Sequence, residues 1–458
     1  MLGGQIDMNS KSKKQKMTLV TLTWPIFIEI LLYMLMGNAD TLMLSQYSDE
    51  SVAAVGVSNQ VLSLIIVMFG FVATGTAILV TQNLGAKQDN TAAEISIVSL
   101  GANLVFGILL SIVIFFFSKP ILLMMDLPPE LLDEANSYLL IVGGFSFVQA
   151  FIMTIGAVIR SYGFTKDVMY ITIGMNVINV IGNYFFIFGP FGFPILGVEG
   201  VAISTTVSRF IGLGIAIIVM IKRIPVQLPF HLLFRFPKVH VRNLLKIGIP
   251  SAGEQLSYNA SQMVITFFIA TLGTEALTSK VYAQNLMMFI FLFSIAISQG
   301  TQILIGYLIG AKKYEDAYHR CLKSLRLAII ISLSAAILFS FFAKDLMKLF
   351  TSNEDIIALG STLILLTIIL EPGRSFNLVI INSLRATGDV KFPVYMGILS
   401  MWGVAVTLSY LLGITLGLGL VGIWIAFIAD EWLRGLLMLW RWRSKVWVRH
   451  SFVEEKAV

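Results

Sequence analysis

The stretch GTAILVTQNLGAK at residues 75–87 returns 225 residues later as GTQILIGYLIGAK at 300–312, with seven of thirteen positions identical. The same shift lays Pro25 on Pro250 and Glu29 on Glu254. It also lays RSYGFTK (160–166) on RATGDVK (385–391), matching Arg160, Gly163 and Lys166 to Arg385, Gly388 and Lys391. A register held without slippage over so much chain marks a duplication, so the chain is read as two homologous halves.

Composition says what the halves are made of. Of the 458 residues, 57% are hydrophobic and 13% charged, with mean hydropathy +0.85, whereas soluble domains carry about 25% charged residues. Runs such as LGANLVFGILLSIVIFFF and LAIIISLSAAILFSFF approach the roughly 20 residues that carry a helix across a bilayer. The expectation is an all-α integral membrane protein of twelve transmembrane helices in two pseudo-symmetric six-helix bundles. The spans are placed near 18–44, 52–81, 91–117, 135–159, 168–188, 197–221, 247–271, 276–307, 322–342, 357–382, 393–412 and 419–440.

Charge orients the spans. With both termini inside, lysines and arginines concentrate in the cytoplasmic segments, and the outer loops keep only Lys119, Lys280, Lys344 and Lys348, which is the positive-inside pattern. The net charge of +6 is thereby an orientation signal, and nucleic acid is excluded as a partner. The resulting plan is a cytoplasmic tail (1–17), an N-lobe (18–221), a cytoplasmic linker (222–246), a C-lobe (247–440) and a second cytoplasmic tail (441–458). The polar, basic N-terminus is followed by a helix too long for a cleaved signal peptide. Cys321 is the single cysteine, so no disulfide can form within the chain. Six spans per half is an even number, so both halves share one orientation, the arrangement of alternating-access transporters with their site between the repeats.

No nucleotide-binding P-loop occurs, and all four histidines (His231, His240, His319, His450) fall outside the spans. Ion coupling would therefore rest on carboxylates. Glu29, Asp40, Glu254 and Glu371 lie well inside spans, with Asp430 and Glu431 in the last. An acid at that depth costs about 2.5–3.5 kcal/mol on insertion scales and normally faces a cavity or a partner. Asn176, Asn179 and Asn183 follow helical spacing on the fifth span, with Thr172 one turn earlier, and Thr205 and Thr206 lie on the sixth. Oxygen-rich faces of this kind suit a hard cation beside Asp40, although such amides and hydroxyls also simply bond helices together. Glu254, Tyr258, Ser261 and Gln262 make a polar stripe on the seventh span. Arg374 follows Glu371 and Arg434 follows Glu431 by three residues, the spacing of intrahelical ion pairs. Pro372, next to Glu371, can bend its helix. Twenty methionines, among them Met34, Met36, Met175, Met287 and Met288 on spans, offer adaptable apolar surface.

The segments GNADTLMLSQYSDESVAAVGVSNQ (37–60), GTAILVTQNLGAKQ (75–88), NYFFIFGPFGFPILGVEGVAISTTVSR (183–209) and LRATGDVKFP (384–393) resemble the multidrug and toxic compound extrusion family, in its NorM-like branch. The resemblance covers roughly residues 16–445. It implies two lobes of six helices exporting organic cations in exchange for Na⁺ or H⁺, without a cofactor. By the same resemblance, Asp40 with Asn179, Asn183 and Thr205 corresponds to an N-lobe cation site, and Glu254 and Glu371 to C-lobe acids. Asn183 departs from the Asp that many members carry, and Glu371 replaces a more usual Asp. The coupling set is then Asp40, Asn179, Asn183, Thr205, Glu254 and Glu371, with Na⁺ expected either at Asp40 or at Glu254 and Glu371. Glu29, Met36, Asn176, Tyr258, Gln284 and Met287 are the expected cargo contacts. The expected partners are small organic cations and the lipid bilayer, for a monomer in the inner (plasma) membrane.

Three other readings compete. A flippase for lipid-linked precursors or polysaccharide would want cationic residues in its cavity, where acids outnumber arginines such as Arg209 and Arg374. An intramembrane enzyme would want a nucleophile with its base or metal ligands, and no histidine lies in a span. A passive channel would not require duplicated halves.

Overall fold

The computed structural model describes residues 17–125 and 127–453; the basic N-terminal tail read from residues 1–16 and the last residues, 454–458, lie outside them. The first half carries α1 (Leu19–Leu44), α2 (Asp49–Gly85), α3 (Asp89–Met124), α4 (Pro129–Tyr138), α5 (Ser146–Ser161), α6 (Thr165–Phe188) and α7 (Gly197–Arg223). The second carries α8 (Lys238–Thr271), α9 (Thr274–Gly310), α10 (Tyr314–Phe341), the short α11 (Ala343–Lys348), α12 (Glu354–Thr387), α13 (Lys391–Ser400) and α14 (Gly419–Arg443). The fourth span is bent: α4 runs through a wide turn at 139–143 into α5 at an angle of 43°. α13 likewise continues to residue 415 in wider π-type turns.

Among the described residues, nine helices are long and apolar enough to cross a bilayer, or ten with α4–α5 taken as one bent span. α8 and α14 bring the long segments to twelve. Both fall short on composition: α8 carries the stripe from Glu254 to Gln262, and α14 carries Asp430, Glu431 and Arg434. Large apolar side chains such as Phe115, Phe116 and Phe117 on α3 stand well exposed, a surface that lipid accepts and water would not. The chain is a multi-pass, all-helical membrane protein.

The described residues divide into two compact units at Gly248–Ile249, with Gly85–Lys87 grouped with the second. In the first, Leu62, Ile65 and Phe69 of α2 pack with Ile114, Tyr138, Leu139 and Val201. In the second, Ile265, Ile269, Met287, Leu370, Trp424 and Phe427 form the core.

Local chemistry sets the helix ends, and the duplication shows in it. Thr18 and Thr21 form a reciprocal capping box that starts α1, satisfying donors that the first helical turn leaves free. Asn353 caps α12 by accepting from the Asp355 and Ile356 amides. At the other end, α5 stops where Gly163 (φ +88°) donates to the Arg160 carbonyl (2.9 Å) and Phe164 donates to that of Ile159 (3.1 Å). α12 stops the same way: Gly388 (φ +99°) donates to Arg385 (3.0 Å) and Asp389 to Leu384 (3.1 Å). Glycine enters this left-handed conformation without a Cβ penalty. Lys87 and Lys312, also 225 apart, adopt the same left-handed φ of 58° after α2 and α9.

Candidate functional site

In the first unit, three helices bring the polar residues together. Asp40, near the end of α1, is buried, and Asn183 Nδ2 of α6 donates to its Oδ1 at 2.6 Å. One turn back on α6, Asn179 Nδ2 donates to Thr205 Oγ1 of α7 (3.0 Å), and its Oδ1 accepts a longer bond from Asn183 (3.4 Å). Ser204 Oγ donates to the Asn179 carbonyl at 2.8 Å. α6 and α7 come this close because residue 182 is glycine: a Cβ there would sit 2.3 Å from Ser204 Oγ. The asparagine stripe thus places Asn179 and Asn183 on one buried face with Asp40 and Thr205. Asn183 Oδ1 is enclosed and has no hydrogen-bond partner, an acceptor left free beside the carboxylate. Asn176 points elsewhere, donating to the Leu32 carbonyl at 3.0 Å.

Glu29 is engaged differently. Arg160 Nη1 of α5 donates to its Oε1 at 2.6 Å. In the second unit Arg385 Nη2 pairs with Glu254 Oε2 in the same way. Both pairs obey the 225-residue shift, and each ties the first span of a unit to its fourth. The expected spans end at 159 and 382, before Arg160 and Arg385; the helices run further, so that both arginines sit on the last turns of α5 and α12 and reach back to the acids. The alignment already matched glutamate to glutamate and arginine to arginine, so the signal was present, but nothing local in the sequence showed that the two would meet.

A larger charge cluster fills the second unit. Arg374 Nη1 donates to Glu371 Oε1 at 3.0 Å, and its Nε lies 3.9 Å from Glu431. Arg434 Nη2 reaches Asp430 at 2.6 Å and Glu431 at 3.0 Å. Ser400 donates to Asp430 (2.6 Å) and Asn377 to Glu431 (2.8 Å). Three carboxylates thus face two guanidiniums, and the fully buried Glu371 keeps Oε2 without a hydrogen-bond partner. Tyr258 lies close enough to interact electrostatically with Arg374 and Arg434. Of the other expected cargo contacts, Met36 and Gln284 are half-buried, whereas Met287 sits in the apolar core, 2% exposed. Among the described residues no group of three or more His, Cys, Asp or Glu side chains is arranged to hold a metal ion.

The MatE family model matches this chain twice, at residues 25–185 and 250–411, so the two matches start 225 residues apart. The chain is 59% identical over 439 residues to the uncharacterized transporter YisQ of Bacillus subtilis (strain 168), covering 96% of both chains. It is 26% identical to the probable multidrug resistance protein NorM of Thermotoga maritima, covering 96% of this chain and 95% of that one. Its fold matches the bent form of the MATE transporter VcmN of Vibrio cholerae with a TM-score of 0.86, at 18% identity and over 94% and 96% of the two chains. With twelve long helices, a duplicated architecture and a double match to one family model, this protein belongs to the MatE family and is a membrane transporter, not an enzyme.

Proposed function

We propose that the protein is a secondary active exporter of organic cations, exchanging them for H⁺ or Na⁺ by alternating access. One observation carries the reading. Among the described acids deep within the long helices, Asp40 is the one with no arginine at salt-bridge distance, its bond coming from a neutral amide. Glu29, Glu254, Glu371, Asp430 and Glu431 all face guanidiniums. A carboxylate held by an amide keeps its charge free to trade one cation for another, so cargo and coupling ion compete for it. The membrane potential would contribute about 2.3 kcal/mol per charge per 100 mV to such an exchange.

The coupling set is Asp40 with Asn179, Asn183 and Thr205, and Glu254 and Glu371 in the second unit. The guanidiniums at Glu254 and Glu371 oppose a bound Na⁺, which would have to sit beside a fixed positive charge, and by stabilising the carboxylates they oppose protonation as well. The positive-inside charge distribution supports a plasma-membrane orientation with both termini, and the connection between the units, in the cytoplasm.

The test is purified full-length protein in proteoliposomes loaded with a fluorescent organic cation, with a Na⁺ or a pH gradient imposed separately. Asp40→Asn is expected to abolish gradient-driven export while the protein still inserts and purifies normally. Wild-type rates in that variant, or wild-type transport that ignores both gradients, would overturn the reading.

A further inference from the structure

Arg209 is the internal arginine that the charge pairing leaves out. Arg160, Arg374, Arg385 and Arg434 each have a carboxylate at salt-bridge distance. Arg209, in the middle of α7, has none, and its Nε is enclosed without a hydrogen-bond partner. It follows Thr205, which accepts from Asn179, by one turn of α7, and its charge is felt at Tyr138, Tyr33 and Asp40. A guanidinium at this depth is costly unless something anionic meets it.

The duplication shows what is missing. The 225-residue shift lays Arg209 on Arg434, and ISTTVSR (203–209) on IADEWLR (428–434). In the second unit the residues four and three positions before the arginine are Asp430 and Glu431, and both neutralise it. In the first unit the same two positions hold Thr205 and Thr206, and Thr206 Oγ1 is buried with no partner. Asp40 does not fill the role, because it is bonded to Asn183 and stands beyond salt-bridge distance from Arg209. The first unit therefore holds one positive and one negative group near each other, neither closed onto the other. Tyr33 and Asp40, seven residues apart, share a face of α1, and Thr205 and Arg209 share a face of α7.

We infer that Arg209, one turn from Thr205 in the polar cluster of the first unit, is a carboxylate-binding subsite accompanying Asp40, so that this unit takes amphoteric cargo: a positive group at Asp40 and a carboxylate at Arg209. The inference rests on the export reading above and names the cargo class. Guanidinium meets carboxylate in two parallel hydrogen bonds, and tyrosine hydroxyls can add donors.

Rhodamine B, with a free carboxylate beside its cationic ring system, and rhodamine B methyl ester, a plain cation, form a matched pair of probes. Binding to the detergent-purified full chain is read by fluorescence anisotropy, and export in proteoliposomes by dye release. Arg209→Gln is expected to weaken rhodamine B binding by about ten- to hundredfold, the loss that goes with one charged hydrogen-bond partner. The methyl ester should bind within about twofold of wild type by the same reasoning, and that doubles as the folding control. Thr206→Glu, which rebuilds the acid of the second unit within reach of Arg209, should produce the same selective loss, and Arg209→Lys, which keeps the charge but not the paired bonds, should bind rhodamine B more tightly than Arg209→Gln and less tightly than wild type. Equal effects on both dyes, or no effect on either, would overturn the subsite while leaving cation export standing. Failure of the wild-type protein to bind or move either dye would overturn the export reading and the subsite together.

Discussion

At the scale of single residues, the first unit turns on what surrounds one carboxylate. Asp40 is held by an amide from Asn183, where many relatives carry a second acid by the resemblance noted above, and Arg209 supplies a positive charge nearby. Arg209 makes no salt bridge with Asp40, whose carboxylate stays open to a cation. Asn183→Asp replaces the donating amide with a second carboxylate beside the first, a pair that must share a proton or hold a cation, so it is expected to make export more responsive to an imposed Na⁺ gradient than it is in the wild type. The measurement is dye efflux with and without Na⁺ at fixed pH; an unchanged Na⁺ response would show that local charge does not govern ion choice here. That the fifth span carries a polar face was legible from the spacing of Asn176, Asn179 and Asn183. That Asn176 turns to the Leu32 carbonyl while its two neighbours meet Asp40 and Thr205 was not. Helical spacing puts residues on a face, but only the angle of the neighbouring helix decides which of them touch what.

At the scale of elements, the recurrent device is a tie between the first and fourth spans of each unit. Glu254 with Arg385 and Glu29 with Arg160 are largely enclosed, and the Schellman-type glycine turns at Gly163 and Gly388 fix the arginines on the last helical turns. Removing one partner of a buried pair leaves a bare charge, which typically costs about 3–5 kcal/mol. Glu254→Gln and Arg385→Gln are each expected to lower the thermal stability of the purified protein strongly. The double variant should recover much of that loss, because two neutral amides leave no unpaired charge. Additive losses in the double variant would argue that the two side chains act independently. Pro25 and Pro250 lie four residues before the two glutamates, each removing a backbone hydrogen bond next to a tie. A first span that is weakened at its proline and anchored at its glutamate is suited to bend about a fixed point.

For the whole molecule, the duplication makes a topological statement that can be checked directly. Lys87 and Lys312 occupy corresponding turns with the same left-handed backbone. In a Cys321→Ser background, cysteines introduced singly at these two positions should both react with a membrane-impermeant maleimide added from the cytoplasmic side. Labelling from opposite sides would contradict an even number of spans between them. Above the level of topology the units have diverged in charge: Arg209 and Arg434 correspond, yet only the second has acids three and four residues before it on its own helix. The duplication thus supplies one scaffold twice, with two different electrostatic interiors.

The chain by itself determined the membrane class, the twelve long segments, the duplication and the placing of acids within apolar segments, because hydropathy and internal identity are properties of residues taken in order. It also signalled the helical pairing of Glu371 with Arg374 and of Glu431 with Arg434, since three residues on a helix bring side chains together whatever else surrounds them. The tertiary structure alone decided that Arg160 and Arg385 close onto Glu29 and Glu254 across 131 residues, that α4 and α5 bend, that Met287 belongs to the core, and that Arg209 is left unpaired. These depend on where distant helices cross, and in a bundle whose helices all look alike to the bilayer, crossing is set by side-chain packing between segments that the order of residues does not juxtapose.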